Sequence, residues 1–224
     1  LTLADTECNK YICEYLSKYK HTLIISEENK SLDFNFRKKY DYCWLIDPID
    51  GTKEFIKKNG QFTINIGLSY KGTPVYGIVS IPVTGEIYYG CKDLGSYKIK
   101  NNEKIKLEIK KNKDYLQEKL NIVASVSHLN DETKKFISLF KKPNIIGSGS
   151  SIKLLLIAEG KADIYPRLGL TSEWDTCAAH AIVKYAGGNV ILANSIKSIY
   201  DLTRDNKELS YNKEDILNPY FIVY

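Results

Sequence analysis

Residues 62–109 constrain the fold most, because segments of period-two hydrophobicity crowd together there with only tight turns between them. Phe62, Ile64, Ile66, Leu68 and Tyr70 alternate with Thr63, Asn65, Gly67 and Ser69, which predicts a half-buried strand. Lys71-Gly72 turns the chain, and 75–81 returns as a hairpin partner. Segments 86–91, 96–99 and 104–109 read as further strands. Ahead of them, Cys8, Ile12, Tyr15, Leu16 and Tyr19 share one helical face, so 5–19 is expected to be a helix, with Thr2 and Asp5 at its head. Residues 23–26 form a short strand that ends in Glu27-Glu28, and the polar stretch 29–41 reads as a loop. Residues 1–111 are therefore expected to be an α+β half, a helix followed by a mostly antiparallel sheet.

From residue 112 the grain changes. Strands at 122–127, 145–146, 162–165, 190–192 and 221–224 are interleaved with helices at 131–140, 151–158 and 174–186. The first of these helices is capped by Asn130 or Asp131, and the last stops at Gly187-Gly188. That alternation predicts an α/β half over 112–224. With carboxylates on both halves, a site in the cleft between them is expected.

The chain has 224 residues, which suits one domain or two closely packed halves. Its net charge is +5, but the lysines are dispersed and no run of five or six basic residues occurs. This argues against nucleic-acid binding and suits a small anionic substrate. No apolar run reaches the ~18 residues of a membrane span, and no signal peptide is visible. The five cysteines are an odd number without C-x-x-C spacing, so they read as reduced thiols of a cytoplasmic protein. Methionine is absent altogether, so Leu1 is expected to be a processed start or the start of a fragment.

The chemistry concentrates in Trp44-Leu45-Ile46-Asp47-Pro48-Ile49-Asp50-Gly51-Thr52. A short apolar strand runs into Asp47, and Pro48 is expected to stop it. Asp47 and Asp50 then share one turn and face a common point, as a hard divalent cation such as Mg²⁺ requires. Gly51 lets the backbone approach an anion, and Thr52 adds a hydroxyl at the start of a helical turn over 52–58. An Asx-type turn that merely closes a strand uses the same residues. Glu27 at the end of its strand and Asp175 in a first helical turn supply two more acids, although each also suits an ordinary solvated loop or a helix dipole.

Asp47-Pro48-Ile49-Asp50-Gly51-Thr52 resembles the D-P-[ILV]-D-G-[ST] signature of the inositol monophosphatase superfamily, and Lys53-Glu54-Phe55 resembles its 3′(2′),5′-bisphosphate nucleotidase branch. Trp174-Asp175 through Ala178-Ala179-His180 and Ala186-Gly187-Gly188 is similar to the second signature. Thr2-Leu3-Ala4-Asp5, Ser26-Glu27-Glu28, Ser125-Val126-Ser127-His128, Gly149-Ser150-Ser151-Ile152-Lys153 and Ala158-Glu159-Gly160 fit the same branch. The family's first helix has no counterpart here.

The resemblance implies a layered αβαβα sandwich and a lithium-sensitive, magnesium-dependent phosphatase with two or three ions per site. It implies Glu27, Asp47 and the Ile49 carbonyl as ligands of one ion, and Asp47, Asp50 and Asp175 as ligands of the other. Thr52 with Asp5 would orient and deprotonate the attacking water, and the amides of Gly51 and Thr52 would hold phosphate oxygens. His128 and Arg167 would sandwich an adenine, and Ser150 and Lys153 would bind the ribose and the 5′-phosphate, with Glu27 and Asp175 also facing the substrate. The implied reaction converts adenosine 3′,5′-bisphosphate to AMP and phosphate, as a step of sulfur metabolism; the sulfated form, 3′-phosphoadenylyl sulfate, is a second implied substrate. An inositol phosphatase on the same scaffold and a non-catalytic nucleotide or phosphate sensor are the rival readings. The sequence leaves the oligomeric state open.

Overall fold

The structure, a computed structural model, describes residues 1–110, 114–124, 130–195, 198–204 and 206–224. Helix α1 (Leu3–Leu16) opens with a reciprocal cap. The Thr2 hydroxyl accepts from the Asp5 amide, and the Asp5 carboxylate accepts from the Thr2 amide at 2.5 Å. Strand β1 (Thr22–Ser26) follows, then the short helix α2 (Phe34–Arg37), where a loop was expected. Asp33 caps α2 by accepting from the Asn35 amide, a local bond that the polar composition of 29–41 conceals.

Strand β2 (Tyr42–Asp50) runs straight through Pro48, contrary to the expected stop. Asp47 pairs with Asn65 but Asp50 pairs with Thr63, so β2 carries one extra residue there. Proline is tolerated at such a bulge because the ladder bond it would lack is already missing. Helix α3 (Thr52–Ile56) leads into β3 (Thr63–Tyr70), β4 (Thr73–Ile81), β5 (Glu86–Cys91), β6 (Gly95–Lys100) and β7 (Glu103–Leu107). These seven strands form one sheet in chain order, antiparallel except for the parallel β1–β2 pair.

In β3 the burial is the reverse of the simple reading. Thr63, Asn65, Gly67 and Ser69 are the buried residues, and Ile64, Ile66 and Leu68 are only partly covered. The cause is α6 (Glu173–Tyr185), which lies directly on the small-residue face. Gly67 pairs with Gly77 and Gly77 with Gly90, which makes a row of glycines across the sheet. A Cβ on Gly77 would sit 2.0 Å from the Ala178 carbonyl oxygen. Only hydrogen at that position lets the helix backbone come so close.

The rest of the chain builds the outer layers. Strand β8 (Asn121–Ala124) pairs in parallel with β9 (Asn144–Gly147), and β10 (Tyr165–Arg167), β12 (Phe221–Val223) and β11 (Val190–Leu192) form an antiparallel sheet in that order. The strand expected at 162–165 starts only at Tyr165, after a single parallel bridge from Ile164 to Ile122. Phe221 and Val223 join the core around α6 and α5 (Ile152–Ala158), whereas Ile222 and Tyr224 join a second core with Phe136 and Phe140 around α4 (Asp131–Ile137). Asn130, not Asp131, caps α4. The layers therefore run α1, large sheet, α5 and α6, small sheets, α4. No helix among the described residues is long and apolar enough to cross a membrane, and all five cysteines are free thiols.

Candidate active site

Parallel pairing of β1 with β2 sets Ser26 opposite Ile46, so the next residues, Glu27 and Asp47, emerge side by side. Their side chains share a hydrogen bond. The bulge turns Asp50 toward α5, where its carboxylate accepts from the Ser151 amide at 2.5 Å. Asp175 comes from the first turn of α6 and accepts from the Ser172 amide at 2.8 Å. Four acids from β1, β2 and α6 thus gather at one end of the large sheet.

Burial pushes the Asp47 carboxyl well above the usual range, and the charges of Asp50, Asp175 and Glu27 push it further. Asp175 is pushed up to about 7, by burial first and then by Asp50. Glu27 is raised by burial, with Asp50 and Asp5 adding to it, and Asp50 is raised by burial although Lys153 opposes the shift. Such mutual repulsion in an all-oxygen cluster is relieved by hard divalent cations. The residues fit Mg²⁺ by charge and donor type. Among the described residues no three acidic, histidine or cysteine side chains already converge on one ion; backbone amides of Ile49, Ser151 and Ser172 donate to Asp47, Asp50 and Asp175.

Gly51 adopts φ +91°, and a Cβ there would press on the Gln61 carbonyl at 3.2 Å. This left-handed turn carries the chain from β2 into α3. The Thr52 hydroxyl donates to the Ile49 carbonyl at 3.4 Å, so two residues expected at the site already touch. Asp5 is buried, and its Oδ2 accepts from the Thr2 amide and hydroxyl in the cap of α1; no hydrogen bond joins it to Thr52 among the described residues.

Opposite the acids, a cavity of about 480 Å³ is lined by Ser150, Lys153 and Arg167 as well as Asp50, Gly51 and Asp175. Ser150 holds a positive φ of 43°, and its hydroxyl is buried without a partner. The Arg167 Nε is likewise buried without a partner, while its Nη2 donates to the Leu170 carbonyl. Lys153 is 6% exposed and donates to the Ser150 carbonyl at 2.7 Å. Burial pulls its ammonium down to about 8 against the opposing charge of Asp50. His128 lies outside the described residues.

Three buried residues escaped the sequence reading as site components. The Ser151 hydroxyl lies 2.8 Å from both the Thr63 hydroxyl and the Asn65 carboxamide oxygen, directly beneath Asp50. The signal was present in the polar set of the alternation in β3, which looked like a solvent face.

The chain is similar to known proteins in sequence and in fold. The pattern of the inositol monophosphatase family matches residues 1–216. The 3′(2′),5′-bisphosphate nucleotidase CysQ of Buchnera aphidicola is 40% identical over 190 residues, which is 85% of this chain and 70% of that one. The protein of the same name from Escherichia coli K12 is 33% identical over all of this chain and 84% of its own. A crystal structure of CysQ from Bacteroides thetaiotaomicron superposes with a TM-score of 0.86 at 38% identity, covering 99% of this chain and 83% of that one. The inositol monophosphatase of Anabaena shares the fold, with a TM-score of 0.73 at 22% identity over all of this chain and 81% of its own. The chain belongs to the inositol monophosphatase family.

Proposed function

We propose that this member of the inositol monophosphatase family is a magnesium-dependent 3′(2′),5′-bisphosphate nucleotidase that converts adenosine 3′,5′-bisphosphate and water to AMP and inorganic phosphate. The observation that carries the reading is the two-walled cavity. One wall carries Asp50 and Asp175, the members of the acid cluster that line the cavity, and the other carries Ser150, Arg167 and Lys153, with the Ser150 hydroxyl and the Arg167 Nε unpartnered and the Lys153 ammonium buried. A substrate with a scissile phosphate and a second anionic group matches both walls at once. The likeness to CysQ nucleotidases over most of both chains supports the same substrate class.

Glu27, Asp47, the Ile49 carbonyl, Asp50 and Asp175 are the groups that would hold the ions. Bound divalent cations supply neutralisation of phosphate charge and acidification of the attacking water. The chain's own residues do the rest. The left-handed Gly51 turn presents the Gly51 and Thr52 amides to phosphate oxygens, and the Thr52 hydroxyl is placed to orient the water. Asp5 acts on this centre through its charge beside Glu27 and as the anchor of α1. Lys153 and Ser150 would take the ribose and 5′-phosphate, with the Arg167 guanidinium against the base and His128 on its other face. The free thiols support a reducing cytoplasmic setting, and the change of grain near 111/112 marks two halves of one catalytic unit.

The test is phosphate release from adenosine 3′,5′-bisphosphate beside inositol 1-phosphate, each with Mg²⁺ and with EDTA. Magnesium-dependent turnover of the nucleotide alone is expected. Preference for inositol phosphate would keep the acid cluster and discard the assigned nucleotide wall. Nucleotide binding without turnover would favour a sensor.

A further inference from the structure

We propose that Arg37, which stands outside every motif of the site, is the positioning residue that fixes Glu27 relative to Asp175. The inference rests on the metal-dependent reading above. Arg37 is 2% exposed although it sits in a short helix of a polar segment. Its Nε donates to the Leu32 carbonyl at 3.0 Å, its Nη1 to the Asn212 side-chain oxygen at 2.9 Å and its Nη2 to the Glu214 carbonyl at 3.1 Å. Asn212 returns the bond, donating from its side chain to the Arg37 carbonyl at 3.1 Å. Among the described residues no carboxylate lies within ion-pair distance of the guanidinium. A buried cation without a paired acid is unfavourable, so the arginine is retained for its geometry. Its rigid planar fork reaches three separated acceptors in a fixed geometry, which the compact ammonium of a lysine on its flexible stem does not reproduce.

The clasp continues to the acid cluster. The Asn212 and Lys213 amides donate to the Glu173 carboxylate at 2.6 and 2.9 Å, and the Lys213 ammonium also binds it. Glu173 is wholly buried and stands two residues before Asp175 at the head of α6. At the other end, the segment clipped by Arg37 is the one that leaves β1 through Glu27. Trp174 and Ile216 line a small cavity together with Ser26, Leu32 and Arg37. One side chain thus ties the segment that begins at Glu27 to the loop that anchors the helix of Asp175. The nucleotide wall of Ser150, Lys153 and Arg167 takes no part in these bonds.

The experiment compares Arg37→Lys, Arg37→Met and Asn212→Gly with the unaltered protein. Asn212→Gly keeps the positive φ of 53° at that position and removes the carboxamide. Expected is a rise of about 10-fold in the Mg²⁺ concentration for half-maximal activity, the scale seen when a ligand's supporting partner is lost. KM for the nucleotide at saturating Mg²⁺ should change by less than about twofold. Mg²⁺ affinity measured calorimetrically without substrate should weaken by the same factor, and amide exchange should quicken across residues 28–41. Lower thermal stability with unchanged Mg²⁺ affinity would overturn the proposal and leave Arg37 as packing. Equal damage to nucleotide KM would overturn it too. If the unaltered protein shows no Mg²⁺ dependence, the metal reading fails and the proposal with it; dependence without a shift in the variants sinks the proposal alone. Arg37→Lys and Asn212→Gly keep the test open if Arg37→Met does not fold.

Discussion

The Ser151 amide donates to the Asp50 carboxylate at 2.5 Å across 101 residues of sequence. Asp50 ends the second strand of the large sheet, and Ser151 stands immediately before α5. The bond therefore joins the two halves of the chain at the acid cluster. Just before Ser151, Ser150 holds a positive φ of 43° and lines the cavity, its hydroxyl buried and unpartnered. One bond thus ties the acid cluster to the turn that carries Ser150.

Asp47 sits at the bulge, 2% exposed, where the repulsion of the other three acids converges. Asp47→Asn keeps the shape and removes the charge. Turnover is expected to fall below about a tenth of the unaltered rate at saturating Mg²⁺, because the proposed function gives Asp47 to both ions of a two-metal site. Steady-state phosphate release measures it. Retention of more than a tenth would remove Asp47 from the assignment.

Lys153 offers a buried ammonium held at the Ser150 carbonyl. Lys153→Ala is expected to raise KM for adenosine 3′,5′-bisphosphate by roughly 10-fold or more and to change KM for 2′-AMP much less, because a charge-assisted bond to phosphate is worth about 1.5–3 kcal/mol. With the ammonium near 8, the lysine is charged below that pH and neutral above it. KM for the bisphosphate should therefore climb as pH rises past about 8 in the unaltered protein and stay flat in the variant. Equal effects on both nucleotides would take Lys153 out of the 5′-phosphate site.

Gly77 lies under Ala178, with its missing Cβ 2.0 Å from a backbone oxygen that cannot swing away. Gly77→Ala is expected to destabilise the protein by about 3 kcal/mol or more, the upper range of overpacking. Urea unfolding reads this directly. Because α6 carries Asp175, any folded fraction should also need more Mg²⁺. A loss below about 1 kcal/mol would mean that the helix can lift off the sheet.

Much of this arrangement is written in local sequence. The period-two segments of 62–109 became β3 to β7, and Asp47, Asp50 and Asp175 were visible because a strand end, a Gly-Thr turn and a helix start each leave a short-range mark. What was not legible depends on distant partners. Pro48 looked like a strand terminator because the bulge that tolerates it is defined by pairing with Thr63 and Asn65. Thr63 and Asn65 looked solvent-facing because their cover, α6, comes a hundred residues later. Arg37 fell inside a stretch read as a polar loop, and two of its three acceptors lie 175 and 177 residues away. Asp5 matched a signature, and its Oδ2 also serves the local cap of α1.

The last prediction concerns acid stability, through a cluster far from the cavity. Glu86 of β5 accepts from Lys98 at 3.1 Å and Lys100 at 2.9 Å, and Lys98 also binds Glu159 at the end of α5 at 2.8 Å. The Tyr88 hydroxyl reaches both carboxylates, and Lys161 binds Glu159 from outside. Burial alone would raise Glu86, but the bonds from Lys100, Lys98 and Tyr88 outweigh it and hold the carboxyl at about 2. A depressed acid contributes stability that is complete above its unfolded value near 4.5 and is lost as pH falls toward about 2. Glu86→Gln should thus lower stability by about 2 kcal/mol at pH 7, less than the full shift implies because half-exposed Lys100 is screened by solvent. Between pH 4.5 and 2 the variant should lose stability less steeply than the unaltered protein, so the two curves converge. Thermal unfolding across that range measures both effects. Parallel curves would show that Glu86 is not ionised in the folded cluster, and that α5 is held to the sheet by neutral hydrogen bonds instead.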